Sequence, residues 1–156
     1  MLIMKLINYC LALTGILCFN SCNKNEGDRI PINQAAMFEC HDKKQWNKTS
    51  VTNALIGKWQ WIYSESYWAP GNGKNTESRN IVIEFFNDST MILTENGILN
   101  GGANWIVGIS DVESYGIGLD TAITKLVRGR IFFCDDLVEF NESYIDRSDN
   151  YFRRIE

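Results

Sequence analysis

The chain has 156 residues, 45% of them apolar and 22% charged, a balance that belongs to globular chains with a core and excludes a disordered one. The formal net charge is −4 and no run of Lys or Arg is longer than two, so the sequence offers no basic face to neutralise phosphates, and nucleic acid is not an expected partner. Aromatic residues reach 12%, enough either to fill a small core or to line a cavity.

Residues 1–22 read MLIMKLINYCLALTGILCFNSC. Lys5 precedes an apolar run from Leu6 to Phe19, interrupted only by Asn8 and Thr14, and the small Ser21 stands before Cys22. A cationic start, a short apolar middle and a small residue at the break make a secretory signal. As a helix the run would span about 21 Å, short of the roughly 30 Å hydrocarbon core, which disfavours a transmembrane anchor. The stretch LCFNSC resembles a bacterial lipoprotein signal, of the loose kind found in Bacteroidetes-type bacteria: Ser21 fits the pattern, while Phe19 and Asn20 depart from the usual Leu and small residue. The resemblance implies cleavage before Cys22 and acylation of that cysteine, with palmitate-like chains contributing about 0.8 kcal/mol per buried CH₂. It also implies a lipid bilayer as partner and residence on the outer membrane, facing the periplasm or the surface. The alternative is an ordinary signal with an incidental cysteine. The expected organisation is a leader over 1–21, a tether and N-terminal arm over 22–49, and a folded body over 50–156.

Two further cysteines, Cys10 and Cys18, fall in the leader, which leaves Cys40 and Cys134 as an even pair in an oxidising setting. They are expected to form a disulfide. Closing a loop of 94 residues is worth on the order of 4–5 kcal/mol in chain-entropy terms, and it would staple the arm to the body. A zinc site is the rival, because His41 and Asp42 adjoin Cys40 while Asp135 and Asp136 adjoin Cys134. No C-x-x-C or H-x-x-x-H spacing supports it, so no metal is expected.

Residues 23–34, NKNEGDRIPINQ, are polar and read as tether. Residues 35–46 read as a weak helix or irregular arm. In 49–57, Thr49 or Ser50 offers a cap before Val51, Leu55 and Ile56, so a short helical turn is expected. From Leu55 the apolar period becomes two. Strands are predicted over 58–66, 79–86, 89–96, 103–110, 117–125, 129–134, 136–142 and 149–155, separated by turn signals at 70–75, 87–88, 96–102, 135–136 and 146–150. Eight short strands without an intervening helix predict an all-β body, and closure into an eight-stranded antiparallel up-and-down barrel would remove exposed edges.

Gly57-Lys58-Trp59 at the start of the first strand matches the G-x-W signature of lipocalins, and the last strand, DNYFRRIE, supplies Arg154 on the same face as Phe152. Together with LIGKWQW, IVIEFFNDSTMILTENG and NESYIDRSDNYFRRI, these stretches resemble the lipocalin-like domains of Bacteroidetes lipoproteins over about residues 50–156. The resemblance implies a calycin-like barrel closed at one end by Gly57, Trp59 and Arg154, with the guanidinium packed across the indole. It also implies a binding architecture, in which a small apolar ligand would be held inside. The body is shorter than most ligand-carrying lipocalins. The expected inward set is Trp59, Trp61, Tyr63, Ile83, Phe85, Leu93, Ile106, Phe133, Phe140 and Phe152, of which Trp61, Tyr63, Ile83, Phe85, Leu93, Phe133 and Phe140 are candidate ligand-lining residues. The same aromatics would equally serve a filled barrel that acts as a structural module or binds an envelope protein partner.

Motifs for catalysis are weak. The single histidine, His41, lies in the arm and no G-x-S-x-G exists to complement it. GNGKN at 71–75 lacks the first glycine of a P-loop, and YGIGLD at 115–120 lacks the third glycine of a dinucleotide fingerprint. The carboxylate pairs Asp111/Glu113, Asp135/Asp136 and Asp146/Asp149 all sit at predicted turns, where Asp serves its own backbone. No enzyme activity and no cofactor are expected. Asp88-Ser89-Thr90 and Asp120-Thr121-Ala122 resemble the short O-glycosylation motif of Bacteroidetes exported proteins.

Overall fold

A computed structural model describes residues 33–68, 73–76, 78–110 and 114–156. The leader, Cys22 and most of the tether lie outside the described residues. So do Pro70–Asn72 of the first turn signal and the pair Asp111/Glu113.

Two short helices precede the barrel. α1 (Gln34–His41) starts at Asn33, whose side chain accepts from the backbone N–H of Ala36. α2 (Lys48–Leu55) starts at Asn47, not at Thr49 or Ser50. Asn47 and Ser50 bond each other's backbone N–H groups reciprocally, so Ser50 completes a capping box begun three residues earlier.

Nine strands follow: β1 (Gly57–Glu65), β2 (Lys74–Asn75), β3 (Ile81–Phe85), β4 (Thr90–Glu95), β5 (Ile98–Ile109), β6 (Tyr115–Leu119), β7 (Gly129–Cys134), β8 (Leu137–Asn141) and β9 (Asp149–Arg154). β2 is a two-residue appendage to β1. The other eight form one closed antiparallel barrel, each paired to its sequence neighbour and β9 returning to β1. Among the described residues no helix is long and apolar enough to cross a membrane.

Three differences from the sequence reading have local causes. The turn expected over 96–102 is only Asn96-Gly97, both at positive φ (53° and 80°), and the chain re-enters the sheet at Ile98. The strand expected over 117–125 ends at Leu119, where the Asp120 carboxylate accepts from the backbone N–H and side-chain amide of Asn104 at 2.9 and 2.7 Å. Ile106 was expected to face inward and faces out, 63% exposed. Trp105 and Val107 take the core positions instead. The run Trp105-Ile106-Val107 is apolar throughout, so alternation could not choose between its faces.

α2 plugs the end of the barrel where β1 begins. Its buried Val51 and Leu55 join Trp59, Phe85, Met91, Phe133 and Phe152 in one core. α1 lies against the outer wall, where Phe38 meets Phe132 with ring centroids 4.4 Å apart and Cys40 is bonded to Cys134. The expected disulfide is therefore present, and it ties the arm to β7 across 94 residues.

Candidate functional site

The two ends of the barrel differ. At the closed end, Gly57 has φ 123°, and an added Cβ would lie 2.7 Å from both Arg154 Nη1 and the Glu156 carbonyl oxygen. Glycine is therefore required sterically as well as conformationally. Its lack of a side chain lets Arg154 reach over β1. The guanidinium sits 4.2 Å from the centre of the Trp59 ring, donates to the carbonyl of Ile56 at 2.8 Å and also donates to the carbonyl of Ala54. Trp59 Nε1 donates to the carbonyl of Leu55 at 2.6 Å. Two side chains thus take the carbonyls of Ala54, Leu55 and Ile56 at the C-terminal end of α2. Burial lowers the pKa of Arg154 from its ordinary value.

Above this closure the interior is filled by interlocking rings. Phe85 meets Trp105 edge-on at 5.3 Å, Phe140 meets Phe152 edge-on at 5.6 Å, and Phe133 lies 6.2 Å from Trp59. Ile83 is fully buried among them. Ile83, Phe85, Phe133 and Phe140 do not border the cavity at the far end.

That far end is open, and β1 is built for it. Trp61 pairs with Phe152, but the next pair along β9 is Tyr63 with Tyr151, leaving Ile62 as an extra residue. This bulge shifts the side-chain alternation by one. Tyr63, expected to point inward, instead lies on the outer wall, stacked on Tyr151 with centroids 4.5 Å apart. Ser64 and its partner Asn150 take the inward position.

Trp61, Ser64 and Asn150 border a mouth cavity of about 610 Å³. Lys125, Leu126 and Arg128 form a second wall, contributed by the segment between β6 and β7. Glu142, Arg147 and Ser148, from the β8–β9 connection, form a third. The β6–β7 segment crosses the mouth because β6 and β7 pair over only two positions, Gly116 with Arg130 and Ile117 with Gly129. It is anchored by Val127, which is fully buried, and by Ile123 and Leu126, which pack on the core. On its other side a smaller cleft of about 250 Å³ is bordered by Leu93, Ile81 and again Lys125 and Leu126. Of the seven candidate lining residues, Trp61 therefore borders the mouth cavity and Leu93 the adjoining cleft.

Three cations and one carboxylate line the mouth of a chain whose net charge is −4. Arg147 is paired with Glu142 at 3.0 Å. Among the described residues Lys125 and Arg128 have no ion pair. Two lining residues also carry buried polar atoms without a hydrogen-bond partner among the described residues: the Trp61 indole N–H and the Asn150 side-chain oxygen. Sequence reasoning identified only Trp61 of this group. The available signal was TKLVRGR, residues 124–130, which carries three cations in seven positions of an acidic chain.

A second polar cluster lies outside the barrel, against α1. Glu139, Asn141 and Asp149 are buried there. Asp149 accepts from the backbone N–H groups of Glu142 and Ser143, both at 2.8 Å, and from Gln34 of α1 at 3.1 Å. Glu139 Oε1 accepts from Asn141 at 2.9 Å. Burial, with the Asp149 charge adding to it, pushes the Glu139 carboxyl up to about 8. Burial likewise raises Asp149, Tyr63 and Tyr151. His41 accepts from the backbone N–H of Phe133 at 2.9 Å and stacks on Trp46, and burial lowers its pKa. Its ring is a neutral structural acceptor at the α1–β7 contact. No family model, curated protein or solved structure matches the chain.

Proposed function

We propose that the protein is a lipid-anchored binding protein of the bacterial cell envelope, lipocalin-like in architecture, that takes a small ligand at the mouth of its barrel. One observation carries the reading: the barrel is shut by α2 and Arg154 at one end and opens at the other onto a cavity of about 610 Å³. Such a cavity falls within the ordinary size range of small-molecule sites. The anchor rests on Cys22 and the leader before it, and the lipocalin likeness rests on Gly57, Trp59 and Arg154. The mouth mixes apolar and charged walls, so a purely apolar ligand buried deep among Phe85, Phe133 and Phe140 gives way to a ligand held nearer solvent. The reading assigns no catalytic step.

A filled barrel acting as an interaction module is the second reading. It is favoured by the aromatic interior and by two exposed apolar residues of β5, Ile106 on its outer face and Ile109 at its end.

Native mass spectrometry of the protein purified without denaturation from its source cells separates the two. The binding reading expects a bound small molecule that is lost in Trp61→Ala. A bare acylated polypeptide accompanied by a second protein would contradict it and favour the module.

A further inference from the structure

We infer that the mouth cavity takes a small organic anion, its head group at Arg128 and Lys125 and its apolar body against Trp61 and Leu126; the inference rests on the binding function proposed above. Four observations lead there. First, the chain is acidic overall, yet three of the four charged residues around this opening are cations. Concentrating positive charge at the rim of a low-dielectric cavity attracts anions from solution. Second, the cations are not equivalent. Arg147 is held by Glu142, whereas Lys125 and Arg128 have no ion pair among the described residues and remain available to a ligand.

Third, the Trp61 ring borders the cavity. Its indole N–H is itself enclosed and has no acceptor among the described residues, so the NMR signal of that group reports packing at the cavity wall. An anionic oxygen is an acceptor only, and an ammonium and a guanidinium are donors only, so Lys125 and Arg128 converge on one chemistry. Fourth, Trp61 and Leu126 both supply apolar surface to the cavity, one from β1 and one from the β6–β7 segment. An inorganic ion would leave that surface in water, whereas a body of several carbons would cover it. The shared head-group chemistry is an anionic oxygen, which either a carboxylate or a phosphate ester supplies.

The test uses octanoate, octyl phosphate, octanamide, acetate and inorganic phosphate, titrated into the ¹⁵N-labelled mature chain, with the Trp61 indole N–H signal assigned by its loss in Trp61→Phe. We expect octanoate or octyl phosphate to shift that signal and to bind at least about tenfold tighter than octanamide, as a charge-assisted hydrogen bond implies. Whichever of the two binds more tightly identifies the head group as carboxylate or phosphate ester. Its affinity should fall about tenfold between about 20 and 500 mM salt. Lys125→Gln with Arg128→Gln should bring it down to the level of the amide. The salt series on the unaltered chain keeps the test open if that variant folds poorly.

Octanamide binding as tightly as both octyl anions would overturn the anion inference and leave the binding function standing. Acetate or inorganic phosphate binding as tightly as the octyl anions would overturn the apolar body. Failure of all five probes, with no small molecule retained by the native protein, would overturn both the inference and the function beneath it.

Discussion

Trp61 and Tyr63 stand two residues apart in one strand and face opposite sides of the barrel wall. The bulge at Ile62 separates them: Trp61 pairs with the inward Phe152, and Tyr63 with the outward Tyr151. The two substitutions should therefore behave differently. Trp61→Ala removes the cavity floor and should abolish ligand retention. Tyr63→Phe should leave ligand affinity within about twofold of the original, because its ring packs outside. Parallel titrations of the two variants check this.

Arg154 donates to two carbonyls of the α2 terminus while covering Trp59. Arg154→Lys keeps the charge and loses the planar fork that makes these contacts together. We expect a loss of about 1–3 kcal/mol in urea unfolding, from hydrogen bonds left unmade and a weakened cation–π contact. Gly57→Ala should cost a similar or larger amount, since φ 123° and two 2.7 Å approaches both exclude a Cβ.

The disulfide closes a loop of 94 residues and fixes α1 to the barrel. Cys40→Ser together with Cys134→Ser should cost about 2–5 kcal/mol. Limited proteolysis should then cut within the arm before the barrel, whose own closure does not depend on α1.

Glu139 gives stability a definite pH slope. Its folded pKa of about 8 exceeds the value near 4.3 expected of an unfolded glutamate, so between these values the folded state holds a proton that the unfolded state has released. Stability from this group is complete below about pH 4.3 and is lost as pH rises through about 8. Asp149, also raised, acts in the same direction. Chemical denaturation between pH 5 and 9 should show stability falling with pH, and Glu139→Gln should flatten much of that fall.

The anchor proposed at Cys22 makes a prediction of its own. Cys22→Ser should move the protein from the membrane to the soluble fraction, because it removes the acyl chains on which the proposed attachment rests. A variant that stays with the membrane would contradict acylation at Cys22.

The closed end of the barrel was legible in the sequence, and the open end was not. Gly57, Trp59 and Arg154 follow from the resemblance to the lipocalin G-x-W signature and late arginine, and the structure brings the three together. Strict alternation likewise placed Ile83, Phe85 and Leu93. It failed where the chain departs from period two. The bulge at Ile62 has no sequence mark, since Trp-Ile-Tyr is apolar on both phases. Trp105-Ile106-Val107 has the same ambiguity, and Ile106 was placed on the wrong face. Most of the site itself comes from loops: Lys125 and Arg128 follow a strand cut short by the Asp120–Asn104 contact, and Arg147 depends on the β8–β9 connection. Their convergence is a product of barrel closure, which brings β1, β9 and the β6–β7 segment to one opening and leaves no local periodicity behind.

The central claim is that the ligand sits in the mouth, above a filled interior. A crystal structure of the protein purified from its source cells, without denaturation or delipidation, tests it most directly. We predict density for a small molecule bounded by Trp61, Ser64, Arg128 and Asn150, with Phe140 still packed against Phe85 and Phe152. Density between those three rings, displacing them to open a deep apolar cavity, would contradict it.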